Sequence, residues 1–306
     1  MKRIFCGILA IALLVTGCCS CAPTRDEDGK ILIVASFYPV YIFTLNLVDG
    51  IDGVEVQSMA QQNVGCLHDY TLTARDVKLL DDASLFVMNG AGMEGFIEDV
   101  YESVDGLKTV DSSAGIELLC NDEHAHSHEE ASHSHNHSEN AHIWLSLDNA
   151  VKQIENIKNG ICEEFPELEE KVTENFNEYI ARLEKLAVKR DSFAEQIRGK
   201  GALSFHGAYE YLAEETGLVI IDTIESDEGG EPSAKELAHL TNEINEHSVK
   251  ALFIEPYYEG SAAEILQNET NAKIYTLNPV TSGDNSITAY EDIMNENYET
   301  ILKAVK

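Results

Sequence analysis

Short apolar runs rich in β-branched residues alternate with helix-patterned segments twice along this 306-residue chain, and a strandless stretch separates the two sets. Residues 31–35, 54–59, 84–89 and 108–111 read as strands, with 41–48 and 73–81 at helical spacing between them. A second set follows: strands at 202–205, 218–221, 250–255 and 273–277, and helices at 209–216, 234–246 and 261–269. Such alternation builds βαβ units, and the continuous apolar runs fit strands covered on both faces. The expected fold class is therefore α/β, with two lobes, each a mainly parallel sheet flanked by helices, joined by one long linking helix.

The linking helix is expected within 147–198, which holds no strand candidate and only Pro166 as a breaker. Leu168, Val172, Phe176, Tyr179, Leu183, Leu186, Phe193 and Ile197 recur mostly at three- and four-residue spacing. About thirty residues of this kind make a rod of roughly 45 Å, which limits how far two lobes can hinge apart. Coiled-coil self-association is the competing use of such a stripe, but on a strict heptad it is only about four turns deep. A monomer is expected.

Lys2 and Arg3, the apolar run 4–15 and the closing Val15-Thr16-Gly17-Cys18 have the layout of an export leader too short to span a bilayer permanently. The closing residues resemble a lipobox, which implies cleavage before Cys18 and a lipid on its thiol. The alternatives are a plain secretory leader or an uncleaved anchor. The expected organisation is a signal peptide 1–17, a lipid-anchored tether 18–30, a first lobe 31–147, a helical linker 148–199 and a second lobe 200–306. Localisation follows: exported, on the outer face of the cytoplasmic membrane, held there at Cys18. Only Cys66, Cys120 and Cys162 of the seven Cys fall in the body, and no bridge is expected among them.

Charge narrows the partners. With 54 Asp and Glu against 21 Lys and Arg, the formal net charge of −33 repels phosphate backbones, so nucleic acid is excluded as a partner. Histidine is the opposite signal, because seven of 11 lie between His124 and His142. Six of them, His124, His126, His128, His133, His135 and His137, occupy the segment 123–140, where no apolar residue exceeds Ala. Such a segment cannot fold by burial, and its expected use is auxiliary, weak metal binding, with a dispensable insertion as the alternative. His239 and His247 read as surface residues.

Three His have ordered surroundings: His68 in Cys66-Leu67-His68-Asp69-Tyr70, His142 in Asn140-Ala141-His142-Ile143-Trp144-Leu145, and His206 in Phe205-His206-Gly207-Ala208-Tyr209. All three are expected near strand-to-helix junctions, where open parallel sheets form ligand sites, so a site shared by them would lie in the cleft. Neutral imidazole suits Zn²⁺, Cu²⁺ and Ni²⁺, and three of them leave one tetrahedral position for a carboxylate or water. No local ligand motif such as HExxH links them, and a lone His at a strand end is more often structural.

In order along the chain, Ala35-Ser36-Phe37-Tyr38-Pro39, His68-Asp69-Tyr70-Thr71-Leu72-Thr73 with Asp76, Asn89-Gly90-Ala91-Gly92-Met93-Glu94, His142-Ile143-Trp144-Leu145, Phe205-His206-Gly207-Ala208-Tyr209 and Glu231-Pro232-Ser233 resemble the metal-specific solute-binding proteins of ABC transporters. The zinc-binding branch is the more similar one, and the likeness runs from about Lys30 to the C-terminus. It implies two parallel-sheet lobes with the metal between them, held by His68, His142 and His206. Manganese-selective relatives typically place a carboxylate where His206 stands, so a third imidazole points to Zn(II). The fourth ligand departs from the family pattern: Thr288 occupies the position where many relatives carry Asp or Glu, and Leu67 offers no donor. Asp284 in the turn Ser282-Gly283-Asp284-Asn285, Glu255 at a strand end, and water are the three options. The implied function is a zinc receptor that serves an ABC permease by binding without turnover, and not an enzyme. A manganese or iron receptor of the same family, a zinc hydrolase and a surface adhesin are the alternatives.

Overall fold

The computed structural model describes residues 29–62, 67, 70–97, 99–100, 104, 106–120, 139–224 and 231–306. Cys18, Cys66, His68 and the six His from His124 to His137 lie outside the described residues. Strands β1 (Ile31–Ala35), β2 (Val54–Ser58), β3 (Leu85–Met88) and β4 (Thr109–Asp111) form one sheet in the order β2-β1-β3-β4, parallel throughout. Strands β5 (Gly201–Ser204), β6 (Val219–Thr223), β7 (Ala251–Ile254) and β8 (Lys273–Thr276) repeat the plan as β6-β5-β7-β8, again parallel. In each sheet the order reverses beside the first strand, between β1 and β3 and between β5 and β7. Ligand crevices open outside the carboxyl ends of strands at such reversals.

The inner strands show why the apolar runs are continuous rather than alternating. All four residues of β3 are buried, because helices cover both faces of a parallel sheet. The first helix, Tyr38–Val48, starts three residues earlier than its apolar spacing predicts. Pro39 in its first turn supplies a preset φ where a backbone N–H has no intrahelical partner. Nine of its 11 residues are buried. A C-terminal helix, Ala289–Ala304, has no counterpart in the sequence reading; its buried stripe of Tyr290, Met294, Tyr298 and Ile301 is half tyrosine, which weakens the apolar signal.

The linking segment is two helices broken at Pro166: Leu147–Glu164, then Glu169–Ile197. The 29 residues of the second give a rod of about 43 Å. It ties down both lobes. Asn175 Nδ2 donates to Leu47 O and Asp49 O at 3.0 and 2.9 Å, closing the C-terminal end of the first helix. Arg182 reaches Asn46 and, at 2.8 Å, Glu291 Oε1 on the C-terminal helix. A single apolar core joins Ile33 and Phe86 of the first sheet to Ala202 and Phe253 of the second through Tyr179 and Leu183. Lobes that share a core and a long helix move as small rotations, not as free bodies. Cys120 and Cys162 are free thiols, and among the described residues no helix is long and apolar enough to cross a membrane.

Glu215 braces the lobes at one point. From the helix Glu210–Thr216 it accepts from Leu147 N (3.1 Å), Asp148 N (3.0 Å) and Ser146 Oγ (3.1 Å), capping the helix Leu147–Glu164 from the opposite lobe. Arg190 Nη1, at 2.7 Å, neutralises it. Glu215→Ala removes the cap while Asp148 and Asp191 still neutralise Arg190. Ser146 Oγ still accepts from Asn149 N, so we expect a loss of about 1 kcal/mol in urea unfolding, typical of a lost cap; an unchanged midpoint would show that the brace carries no stability.

Candidate metal site

His206 is placed by the end of β5. Ser204, the last strand residue, donates through Oγ to His206 O at 2.7 Å and accepts from His206 N at 3.3 Å, so the chain turns at a fixed angle as it leaves the sheet. Glu255 directly follows β7, the neighbouring strand across the reversal of order. Its Oε1 hydrogen-bonds His206 Nδ1. A carboxylate only accepts, so Nδ1 carries the hydrogen, and in the neutral ring the lone pair sits on Nε2.

His142 corrects one expectation. It does not follow a strand: the chain arrives from an isolated bridge between Cys120 and Glu139, and His142 precedes the 3₁₀ turn Ile143–Leu145. It reaches the carboxyl end of β3 all the same, because Asn89, the first residue past that strand, donates from Nδ2 to Ala141 O at 3.0 Å. Asn89 is itself locked. Its Oδ1 accepts from Gln153 Nε2 at 3.0 Å, and its N–H donates to Glu94 Oε1 at 2.8 Å. Gly90 N donates to Glu94 Oε2 at 3.0 Å; this glycine has φ +78°, and a Cβ there would lie 1.8 Å from Asp111 Oδ1, so a side chain would be strained and would displace the Asp111 carboxylate. His142 is 4% exposed, packed against Trp144, and its Nδ1 meets Asn140 Oδ1 at 2.9 Å. Asn140 Oδ1 also accepts from His142 N at 3.0 Å, so it is the acceptor oxygen, and the ring lone pair again sits on Nε2.

The two rings, one from each lobe, meet with centroids 4.6 Å apart and planes at 90°. An imidazole whose Nδ1–H is tied to an oxygen has the tautomer that a metal-bound imidazole needs. Among the described residues no group of three or more His, Cys, Asp and Glu converges as a metal cluster. Next to His68, Leu67 is buried, and Tyr70 OH donates to the buried Asp76 at 2.8 Å, inside the capping box that starts the helix Ala74–Asp81.

The carboxylates expected as fourth ligand have separate settings. Glu255 holds the far nitrogen of His206. Asp284 is exposed, and its Oδ1 accepts from Ser286 N at 2.9 Å. Its loop is pinned from both sides: across the cleft Trp144 Nε1 donates to Pro279 O at 2.7 Å and Tyr38 OH to Asp284 O at 2.5 Å, and within the second lobe Tyr209 OH donates to Leu277 O at 2.7 Å. Between them buried Val280 is held at φ +60°, a conformation that β-branched residues rarely adopt. Sequence reasoning missed Asn140 and Gln153. Asn140 makes an Asx turn, its Oδ1 accepting the backbone N–H two residues on, and Asn is a residue type that favours such turns, a signal that could mark it; nothing local marks Gln153.

Two lobes of one topology that close on a shared cleft define a bilobed solute-binding protein. The chain belongs to the family described as zinc-uptake complex component A, periplasmic, which it matches over residues 33–304. It is 32% identical over 308 residues to the high-affinity zinc uptake system protein ZnuA of Bacillus subtilis, covering 96% of this chain and 95% of that protein. It is 29% identical over 315 residues to the zinc-binding lipoprotein AdcA of Streptococcus pneumoniae, covering 100% of this chain but spanning only 61% of that relative's length. The crystal structure of Zn(II)-bound AdcA from Streptococcus pneumoniae matches with a TM-score of 0.75 and 27% identity, covering 90% of this chain and 58% of that one.

Proposed function

We propose that this chain is an extracytoplasmic receptor that captures Zn(II) in the interlobe cleft and delivers it to the permease of an ABC transporter. The observation that carries this reading is the perpendicular pair of His142 and His206, one from each lobe, each with Nδ1 tied to an oxygen. His142 and His206 bind through Nε2, His68 supplies the third imidazole, Glu255 orients His206, and Asp284 or a water completes a tetrahedron. Three imidazoles favour zinc over manganese, which prefers oxygen donors. The zinc named for the two relatives supports the same metal. The protein binds without turnover; Cys18 and the tether 18–30 hold it at the membrane as a monomer, and the His of 123–140 collect zinc weakly.

Competition between Zn²⁺ and Mn²⁺ for the metal-free mature chain tests the reading. Zinc is expected to displace manganese at equal concentration, and deletion of 123–138, which spares Glu139 and Asn140, to lower the zinc stoichiometry from several ions to one. Equal preference for the two metals would sink the zinc assignment.

Zinc also competes with protons for each ring. An imidazole of ordinary pKa, about 6.5, is mostly charged at pH 5.5, which weakens metal binding by about tenfold per ring relative to neutral pH. Affinity measured by chelator competition should therefore fall more than tenfold between pH 7.5 and 5.5. An affinity flat across that window would rule out ligation by several His.

A further inference from the structure

We propose that Asn140 is a positioning residue for the metal: its one amide fixes the tautomer of His142 and seats the second lobe beside His206. The proposal rests on the zinc-receptor reading and adds to it a residue that couples the two lobes.

The amide of Asn140 is 2% exposed and engaged at both ends. Its acceptor end faces the first lobe, where Oδ1 takes the His142 backbone N–H at 3.0 Å and the His142 ring Nδ1–H at 2.9 Å. Its donor end faces the second lobe, where Nδ2 donates to Gly207 O at 3.0 Å and to Glu210 Oε2 at 2.9 Å. Gly207 is the residue after His206. All four hydrogen-bonding positions of the amide are thereby filled. Turned by 180°, the amide would set its N–H groups against the His142 N–H and its oxygen against a carbonyl and a carboxylate, so the neighbours dictate one orientation.

The backbone of the same residue is clamped as well. Asn140 N donates to Leu119 O at 2.8 Å, and Asn140 O accepts from Tyr211 OH at 2.7 Å, while that hydroxyl accepts from Leu119 N at 3.0 Å. Tyr211 belongs to the second lobe, on the helix that carries Glu210. Seating of the second lobe and orientation of the His142 ring are therefore one event. If the second lobe lifts, Nδ2 loses both acceptors, the amide can rotate, and His142 loses the oxygen that keeps its lone pair on Nε2. Asp could replace the acceptor end but not the donor end, because its second oxygen would face the Glu210 carboxylate at about hydrogen-bond distance, where like charges repel.

That asymmetry supplies the test, made on the mature chain with two readouts: zinc affinity by chelator competition, and the ring tautomer of His142 by ¹⁵N NMR of the metal-free protein. Asn140→Ala is expected to lower cleft affinity by about tenfold to hundredfold, the usual cost of losing a group that orients a ligand. It should also convert a single Nδ1–H tautomer into a mixture. Asn140→Asp should keep the tautomer and still lose affinity, and adding Glu210→Gln should recover most of that loss by restoring a donor–acceptor pair. Wild-type affinity in both single variants would overturn the proposal. So would an Asn140→Ala loss with an unchanged tautomer and no recovery from the Glu210→Gln pairing, since that pattern marks a merely structural residue. If Asn140→Ala does not fold, the Asn140→Asp and double variants decide alone. Failure of the receptor reading looks different: there His142→Ala itself would keep wild-type cleft affinity.

Discussion

Replacing His142 by Ala lowers the affinity of the cleft for Zn(II) by about two to three orders of magnitude, and replacing His206 does the same. Zinc sites with four protein ligands bind with about 10–16 kcal/mol, or about 3 kcal/mol per ligand, and each 1.4 kcal/mol is about a factor of ten. The loss is expected near the upper end for His142, because its ring is buried and already held at Nδ1 by Asn140, so little ordering entropy is recovered when zinc is not bound. Chelator competition at limiting zinc is the measurement, since excess zinc would also fill the His-rich segment. His239→Ala is the control: that ring lies on the second lobe beside Asp222 and Glu243, and its removal should leave cleft affinity unchanged. An affinity within tenfold of wild type in both His142→Ala and His206→Ala would remove the cleft from the reading altogether.

The second large effect lies beneath the site. Glu94 is 5% exposed, and its two oxygens accept the backbone N–H groups of Asn89 and Gly90. Glu94→Leu strands both donors in the interior at about 1–3 kcal/mol each, so we expect a destabilisation of about 4 kcal/mol in urea unfolding. Burial pushes the Glu94 carboxyl up from 4.5 to about 7, against the pull of the two amides. The folded protein thus holds a proton that the unfolded chain releases above about pH 4.5. The contribution of Glu94 to stability is full below pH 4.5 and is lost as pH rises towards 7, by on the order of 3 kcal/mol in total. Glu94→Gln cannot ionise. The difference in stability between wild type and Glu94→Gln should therefore shift in favour of the variant as pH rises from 4.5 to 7. A difference independent of pH would show that Glu94 titrates as an ordinary carboxyl.

How much was legible varies from residue to residue. β3 was visible because a strand buried on both faces must be apolar at every position, and the break at Pro166 because proline lacks the donor that a helix interior needs. The start of the first helix was read three residues late, since Tyr38 and Pro39 carry no helical apolar spacing. The C-terminal helix is not legible because half of its buried stripe is tyrosine, whose hydroxyl weakens the apolar signal; only the fold buries Tyr290, with its OH on Trp144 O. At the site, the residue types of His142 and His206 were readable as cation donors. Their settings were not: the hydrogen bonds of Glu255 to His206 and of Glu210 to Asn140 link residues 49 and 70 positions apart.

The sequence alone determined the two-lobed α/β plan, the long linking helix and the family, because hydrophobic periodicity, helix breakers and ordered short motifs are local properties of the chain. Only the tertiary structure decided that His142 reaches the cleft from a 3₁₀ turn hung on Asn89, that its ring meets His206 at 4.6 Å, and that Asn140 spans the two lobes. Those are contacts between distant segments. Their geometry is set by how the two sheets and their helices pack, through a core shared by both lobes and a second one within the second lobe, and a donor's direction cannot be read from spacing until that packing exists.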